Sequence, residues 1–539
     1  MIIVLAASLQ AQWSNDPNNN LIVGYGLDPH ICSDNAGGCY VTYDYENIYY
    51  PRKLALERLD KYGYKPWGTL KQIIGESPEQ SGAQIVEDGE GGVIVSYKDR
   101  LENLPSWTQR IRVQRVDSSG NFLWGQAGIK VTLDEINQSL QQVVADGSGG
   151  CVVTWKTISY TFYANRISAN GERLWSDSGI LLGISNYSGT EPKIIRAADG
   201  CFYVETGEYI YRIRENGEII RRDSVILGNI VPDPKGGIVL SGKVGSINNR
   251  RLAAQRKDSL GNSLWAEPYI EIADSLYINA IISVKEINGY YYYSWHGKKN
   301  GIDLVAQYQA LRSDGTKLFN QGSMPISNYP VDALLGEIIP SDSGTFVLIW
   351  QDYRSEDGVF GQRRDTLNNP FWNVNDIPLY TGAYSELHSV TDCAGGAIGL
   401  GWHQFDFSIR AFKVSKYGIL GEVITGTDDP NELIIPDEII LYQNYPNPFN
   451  SSTVIKYQIP KVETHRNTPL QLVKLIVYDV LGNEVTALVN EEKPAGKYEI
   501  EFTATGLSSG IYFYKLEAGN PATGSGQSFI QTKKMILLK

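Results

Sequence analysis

The sequence predicts an all-β fold: a ring of repeated small sheets followed by a smaller antiparallel β-sandwich. Three observations carry that prediction. A glycine-marked motif recurs at intervals of about 50 residues over most of the chain. The 539 residues include 54 glycines and 34 tyrosines but only 3 methionines, a composition that favours strands and tight turns over helices. Near residue 425 the motif stops, and a different strand pattern runs to the C-terminus.

The motif has two halves. The first reads "DGEGGVIVSYKD" (88–99) and returns as "DNAGGCYVTYDY" (34–45), "DGSGGCVVTWKT" (146–157) and "DSGTFVLIWQDY" (342–353). Weaker relatives start at residues 199, 233, 287 and 392. The second half reads "VQRVDSSGNFLWG" (113–125) and returns as "ANRISANGERLWS" (164–176), "AQRKDSLGNSLWA" (254–266) and "GQRRDTLNNPFWN" (361–373). A glycine pair after Asp or Asn marks a hairpin turn that needs positive φ. The run behind it, such as Val93-Ile94-Val95, is apolar on both alternating faces, as in a strand buried on both sides. "DSSGN" and "SANGE" read as a second turn. Four short strands per copy make one blade of a β-propeller, and stacking blades buries both faces of each sheet. Eight copies are readable; the fourth is the weakest, so seven blades is the alternative.

Six tryptophans (Trp13, Trp67, Trp124, Trp175, Trp265, Trp372) occupy the "LW" position, and four (Trp155, Trp295, Trp350, Trp402) are read as ending the glycine-pair strand. Aromatics locked to a repeat imply packing between blades. Trp13 stands at the end of a repeat that has no beginning, so its segment is expected to close the ring against the last blade. The recurring arginines Arg115, Arg166, Arg256 and Arg363 are expected to serve carboxylates or carbonyls of their own blades. Cys39, Cys151 and Cys201 each follow a glycine and are read as equivalent small core residues; Cys32 and Cys39 flank one turn and are close enough in sequence for a disulfide.

The net charge of −12 argues against a nucleic-acid or anionic-membrane partner, and no run approaches the roughly 20 apolar residues of a membrane span. The start, "MIIVLAASLQAQWS", resembles the back half of a secretory signal without its basic region. The expected organisation is a signal remnant at 1–11, the propeller at 12–425, an acidic proline-bearing linker at 426–439 and the sandwich at 440–539, in a chain acting as a monomer.

In the last segment "YPNPFN" (445–450) cannot lie inside a sheet, because Pro446 and Pro448 have no N–H to donate. It must be an edge or lead-in. "LYQNYPNPFNSST", "VYDVLGNEV", "LSSGIYFYKLEAG" and the lysine-bearing end "KKMILLK" follow in order. Together they closely resemble the type A C-terminal sorting domain of the type IX secretion system. The resemblance covers about the last hundred residues and implies a β-sandwich read by an outer-membrane translocon after export to the periplasm. Its motif residues here are Tyr445, Pro446, Asn447, Pro448, Phe449, Asn450, Asp479, Gly482, Gly510 and Tyr512. More loosely, the repeats resemble arrays on surface proteins carrying this label, which implies a setting and not an activity.

The five histidines, His30, His296, His388, His403 and His465, show no metal-ligand spacing, and no nucleophile elbow or phosphate-binding loop is present. No cofactor and no metal is expected. Repeats vary most just after the Trp/Tyr-ending strand, where Asp44, Lys98, Lys156, Lys243, His296, Gln351 and His403 stand. Repeat symmetry would put these on one face of the ring as a ligand-binding set, with no evident paired acid and base. Two functions fit. One is a secreted or cell-surface, non-catalytic binding and adhesion protein for an extracellular glycan or protein. The other is a propeller glycoside hydrolase or lyase acting on extracellular polysaccharide; a carboxylate cluster at one channel mouth would favour it.

Overall fold

The structure, a computed structural model, describes residues 13–45, 52–68, 72–73, 79–100, 108–185, 190–246, 251–266, 268–273, 277–299, 302–320, 322–327, 333–354, 358–372, 376–382, 384–421, 440–441, 443–444, 447–459, 471–493, 496–519 and 529–538. The expected signal remnant, the linker, Tyr445 and Pro446 lie outside the described residues. Every named element is a strand, and the chain divides into two compact units, one of them Leu9–Val423.

That unit contains eight four-stranded antiparallel sheets. Their second strands, in chain order, are Cys39–Tyr45, Val93–Arg100, Cys151–Thr157, Phe202–Glu205, Ile238–Val244, Tyr290–Lys299, Phe346–Asp352 and Ala397–His403, which number the sheets 1 to 8. Sheets 1 to 7 each use four consecutive strands. Sheet 8 takes its fourth from the other end of the chain: Leu21–Tyr25 pairs with Ser408–Val414. An apolar layer fills the gap between each pair of successive sheets. The layer of Val23, Val41 and Tyr43 with Ile398, Leu400 and Ile409 joins sheet 8 to sheet 1, so the ring closes.

The repeat motif is an account of how neighbouring sheets are joined. The turn aspartate, for example Asp88, accepts N–H groups of Glu90 and Gly92 on one oxygen and the Arg115 Nε on the other. The glutamine before the arginine holds the next turn: Gln362 accepts the Trp372 N–H at 3.0 Å. The tryptophan and the arginine then reach across the gap to one carbonyl of the next sheet. Ser313 O receives Trp265 Nε1 at 3.1 Å and Arg256 Nη1 at 2.7 Å. Lys416 O likewise receives Trp372 and Arg363, Glu215 O receives Trp175 and Arg166, and Ser118 O receives Trp67 and Arg58. All four recurring arginines therefore serve a carboxylate of their own sheet, as expected, and Arg166, Arg256 and Arg363 also serve a carbonyl of the next one.

Two departures from the motif are made good by the same geometry. Sheet 4 lacks the tryptophan, and Arg221 takes its place, donating to Ser259 O at 3.0 Å and packing over Gly261. At the closing joint Trp13 Nε1 and Lys413 Nζ both donate to Lys61 O at 3.1 Å. The glycine of the receiving turn has two reasons to be glycine: Gly120 has a φ of 88°, and a Cβ there would lie 3.1 Å from the Trp67 indole.

Two cysteine expectations are corrected. Cys32 pairs with Tyr40 and Cys39 with Ser33, so the two thiols point to opposite faces and enter different apolar layers. Both are free. Cys201 is not equivalent to Cys39 and Cys151, because Phe202 holds their register position; the turn Ala197–Cys201 has the usual length, and Cys201 fills the place of its second glycine, half-buried.

The other unit is a sandwich of a three-stranded and a four-stranded sheet around Phe449, Ile455, Leu475, Tyr514 and Leu537. The lead-in segment docks on the last strand, Phe529–Leu537. Phe449 N–H donates to Ile536 O, and Asn447 Oδ1 accepts the Ile536 N–H, both at 2.9 Å. Asp479 caps its turn by accepting from Leu481 and Asn483, Gly482 has a φ of 84°, Gly510 opens a strand, and Tyr512 donates to Ser508 O. Pro448 and Asn450 are exposed.

Arg256→Ala removes a joint between sheets 5 and 6 and leaves the buried Asp233 without its cation. Thermal or denaturant unfolding should show a loss of about 3 kcal/mol. An unchanged midpoint would mean the joint is dispensable.

Candidate functional site

The ends of the second strands share one face of the ring with the starts of the innermost strands, because the two run antiparallel. Asp44, Lys98, Lys156, His296 and Gln351 hold the same register position there, opposite Leu27, Ser81, Ser139, Ala280 and Leu334. Lys243 stands at this position in sheet 5, opposite Leu252, and is exposed. His403 does not share the position. Sheet 8 carries Gly401 where the other sheets have their strand-ending aromatic, so Trp402 falls on the candidate position, opposite Ser385, and His403 one place beyond, bonded to Asp406 at 2.9 Å.

The set is not a uniform binding ring. Lys156 is buried, donates to Thr190 O at 3.2 Å and lies over the rings of Tyr160 and Phe162. Gln351 is buried. His296 is half-buried, and burial, then the nearby Lys243 ammonium, lowers its pKa. Asp44 is 4% exposed; Arg52 stands 3.4 Å from one of its oxygens, and the other has no partner among the described residues.

What does converge comes from the innermost strands. Each carries a polar residue at one register position: His30, Gln84, Gln142, Lys193, Asn229, Ser283, Glu337 and His388. In sheets 1, 2, 3, 6, 7 and 8 a β-bulge comes just before it. The bulge puts one residue in the left-handed region: Asp28 (φ 54°), Gly82 (59°), Leu140 (54°) and Glu386 (56°). Such backbone is costly for a leucine or a glutamate, and bulges of this kind re-aim side chains.

Sheets 8 and 1 differ from the rest. Only their bulges read acid-x-His, "ELH" and "DPH". His30 and His388 have ring centroids 5.5 Å apart across the closing seam, and Asp28 stands 3.5 Å from His30 Nε2. The sequence showed no paired acid and base; the fold assembles one from its two ends.

The electrostatics follow from this packing. The His30 hydrogen bond holds the Asp28 carboxyl below the usual range. Burial and then the Asp28 charge push Asp44 up to about 7. Enclosure and Asp28 raise Glu386 as well, while burial and His30 press His388 down to about 4. Burial pushes Glu205 in sheet 4 up to about 7, and likewise Glu337 in sheet 7, which is bonded to Ser389 of sheet 8. Among the described residues no group of three or more His, Cys, Asp or Glu is arranged to hold a metal ion.

Aromatic surface adjoins the cluster. Trp402 is half-buried with its Nε1 unpartnered among the described residues, and Phe405, in the following turn, is 79% exposed. One signal for this site was legible: a polar residue four places before the turn aspartate (His30 before Asp34, Gln84 before Asp88, His388 before Asp392) breaks an otherwise apolar face.

Residues 443–530 match the secretion system C-terminal sorting domain family. The tail is that of type IX secretion, and the chain is a secreted or outer cell-surface protein. No curated protein matches the chain. Among solved structures, the β-propeller domain of the Trilobed protease from Pyrococcus furiosus is similar at 9% identity, with 65% of this chain and 100% of that one covered and a TM-score of 0.38. A post-proline cleaving enzyme from Rickettsia typhi is similar at 8% identity over 73% of this chain and 58% of that one, TM-score 0.39. A protein of unknown function from Bacteroides caccae is similar at 14% identity over 51% and 89%, TM-score 0.28.

A carboxyl whose pKa is raised by folding stabilises the fold when protonated, and that contribution is lost as pH rises through the folded value, here about 7 for Asp44. Asp44→Asn should therefore raise the melting temperature at pH 8 by a few degrees and change it little at pH 4. An equal shift at both pH values would show that Asp44 does not titrate late.

Proposed function

We propose that the chain is a surface-delivered glycan-recognition protein whose ligand rests on the closing seam of the propeller, between sheets 8 and 1. The observation that carries this reading is the local break in symmetry. Where sheets 1 to 3 and 5 to 7 place Asp, Lys, His or Gln, sheet 8 places Trp402, beside two acid-x-His bulges. Aromatic faces with flanking carboxylates and imidazoles are what a sugar ring requires: a C–H face to stack on and hydroxyls to bond. The wider face gives secondary contacts through exposed Lys243 and half-buried Lys98 and His296, with buried Asp44, Lys156 and Gln351 behind them, and His403 supports the turn that presents Phe405.

In this reading the C-terminal unit is the delivery element. The segment around Asn447 and Phe449, sealed onto the last strand, presents the folded sandwich to the outer-membrane translocon after passage through the periplasm.

Two measurements test the proposal. A glycan and protein array probed with the full chain should give glycan binding that Trp402→Ala weakens at least tenfold while the variant stays folded, its melting temperature lowered by the loss of packing against the layer between sheets 8 and 1. Binding only to proteins, or binding indifferent to Trp402, would overturn it. Deleting residues 440–539 in a host with type IX secretion should strand the propeller in the periplasm; undiminished surface display would contradict the delivery role.

A further inference from the structure

We infer that the closing seam hydrolyses its ligand, with Glu386 as the acid and Asp28 as the base of glycosidic-bond cleavage. The inference rests on the glycan reading above and adds turnover to it.

The geometry comes first. Asp28 and Glu386 hold equivalent bulge positions in sheets 1 and 8, adjacent at the seam, each followed two residues later by a histidine of the touching pair His30 and His388. Both carboxyls reach solvent; the Asp28 side chain is 47% exposed and Glu386 is exposed. Both backbones sit in the left-handed region, which a glycine would fill at lower cost and which sheet 2 fills with Gly82. No packing requirement explains an acid at both places, since the other bulges do without one. Beneath Asp28 lies a second, independent sign of a ligand. Asp44 is more than nine-tenths buried, it feels the Asp28 charge, and, beside its bonds to Arg52 and the Gly82 N–H, one of its oxygens has no partner among the described residues. A buried carboxylate in that state lowers stability unless something bound to the cluster uses it.

The environments of the two acids diverge, as acid and base roles demand. His30, with weaker help from Lys98 and His388, favours the ionised form of Asp28. Enclosure and the Asp28 charge favour the protonated form of Glu386, and His30 opposes this. The reaction then balances with one water. The Glu386 carboxylic acid gives its proton to the bridging oxygen as the bond from that oxygen to the anomeric carbon breaks. The water oxygen bonds to the anomeric carbon, and its proton passes to Asp28. After the products leave, Asp28 releases that proton and Glu386 takes one up. His30 is a positioning residue that holds the Asp28 carboxylate.

The test uses the full chain on xylan, arabinan, mixed-linkage β-glucan and polygalacturonate, with binding measured by calorimetry and cleavage by new reducing ends. Expected is cleavage of at least one bound polysaccharide. Asp28→Asn and Glu386→Gln should each lower the rate at least ~100-fold with affinity kept within about threefold, and azide or formate should restore part of the Asp28→Asn rate. Both variants should stay folded with the melting temperature within a few degrees of the wild type, because Asp28→Asn gives up only a half-exposed pair with His30 and Glu386 is exposed. Binding without cleavage by the wild-type chain overturns the inference and leaves the glycan reading standing. Cleavage that survives both substitutions overturns the assignment of residues. Absence of both binding and cleavage across the panel overturns the glycan reading and the inference with it.

Discussion

A backbone carbonyl in the second turn of most sheets ties the propeller together. In five sheets it receives two donors from the sheet before it, an indole N–H and a guanidinium or ammonium group, and in sheets 3 and 5 it receives one, from Trp124 or Arg221. A charged donor shared with a buried carboxylate gives the joint strength, and the indole gives it direction. Much of the motif is a consequence. The aspartate orients the arginine, the glutamine sets the tryptophan, and the glycine makes room for the indole. Where a member is missing the function of the joint is kept by substitution, as Arg221 shows in sheet 4. Closure uses the same device, with Trp13 arriving from the start of the chain and Lys413 from the last sheet.

A ring held by identical joints on one face is free to vary on the other. The innermost strands end there in bulges, and the bulges aim one residue per sheet. Most of these positions are filled in ways that cost little. At the closing seam left-handed Asp28 and Glu386, a close histidine pair and Asp44 with one unpartnered oxygen stand together. Two acids on strained backbone beside a histidine pair form a combination that the other bulges do not repeat. The seam is also where the two ends of the propeller sequence meet, so the joint made by Trp13 and Lys413 positions the same sheets that carry the cluster.

Much of this was legible in the sequence. The strands, the two turns, the repeat length, the closing role of the Trp13 segment and the lead-in nature of "YPNPFN" all follow from local chemistry with a fixed period. The errors have one physical source, which is that register is counted from the bond closing the turn and not from the nearest motif residue. Cys201 fills the place of the turn's second glycine, and Gly401 fills that of the strand-ending aromatic, so Cys201, Trp402 and His403 each stand one place from the expected position, enough to reverse the face each side chain occupies. The site itself was out of reach because it is nonlocal. Nothing near residue 28 announces residue 386, and the bulges that aim both acids leave no fixed residue type behind: Asp, Gly, Leu and Glu occupy the same conformation. The carbonyl of the next sheet was missed for the same reason.

The central claim is that function sits where the ring closes. The most direct measurement is a crystal structure of the full chain soaked with the oligosaccharide it binds best. The account predicts a sugar ring stacked on Trp402 or Phe405, with hydroxyls bonded to Asp28 and Glu386. A sugar bound at the face of sheets 4 to 6, or on the outer rim of the ring with the closing seam empty, would contradict it.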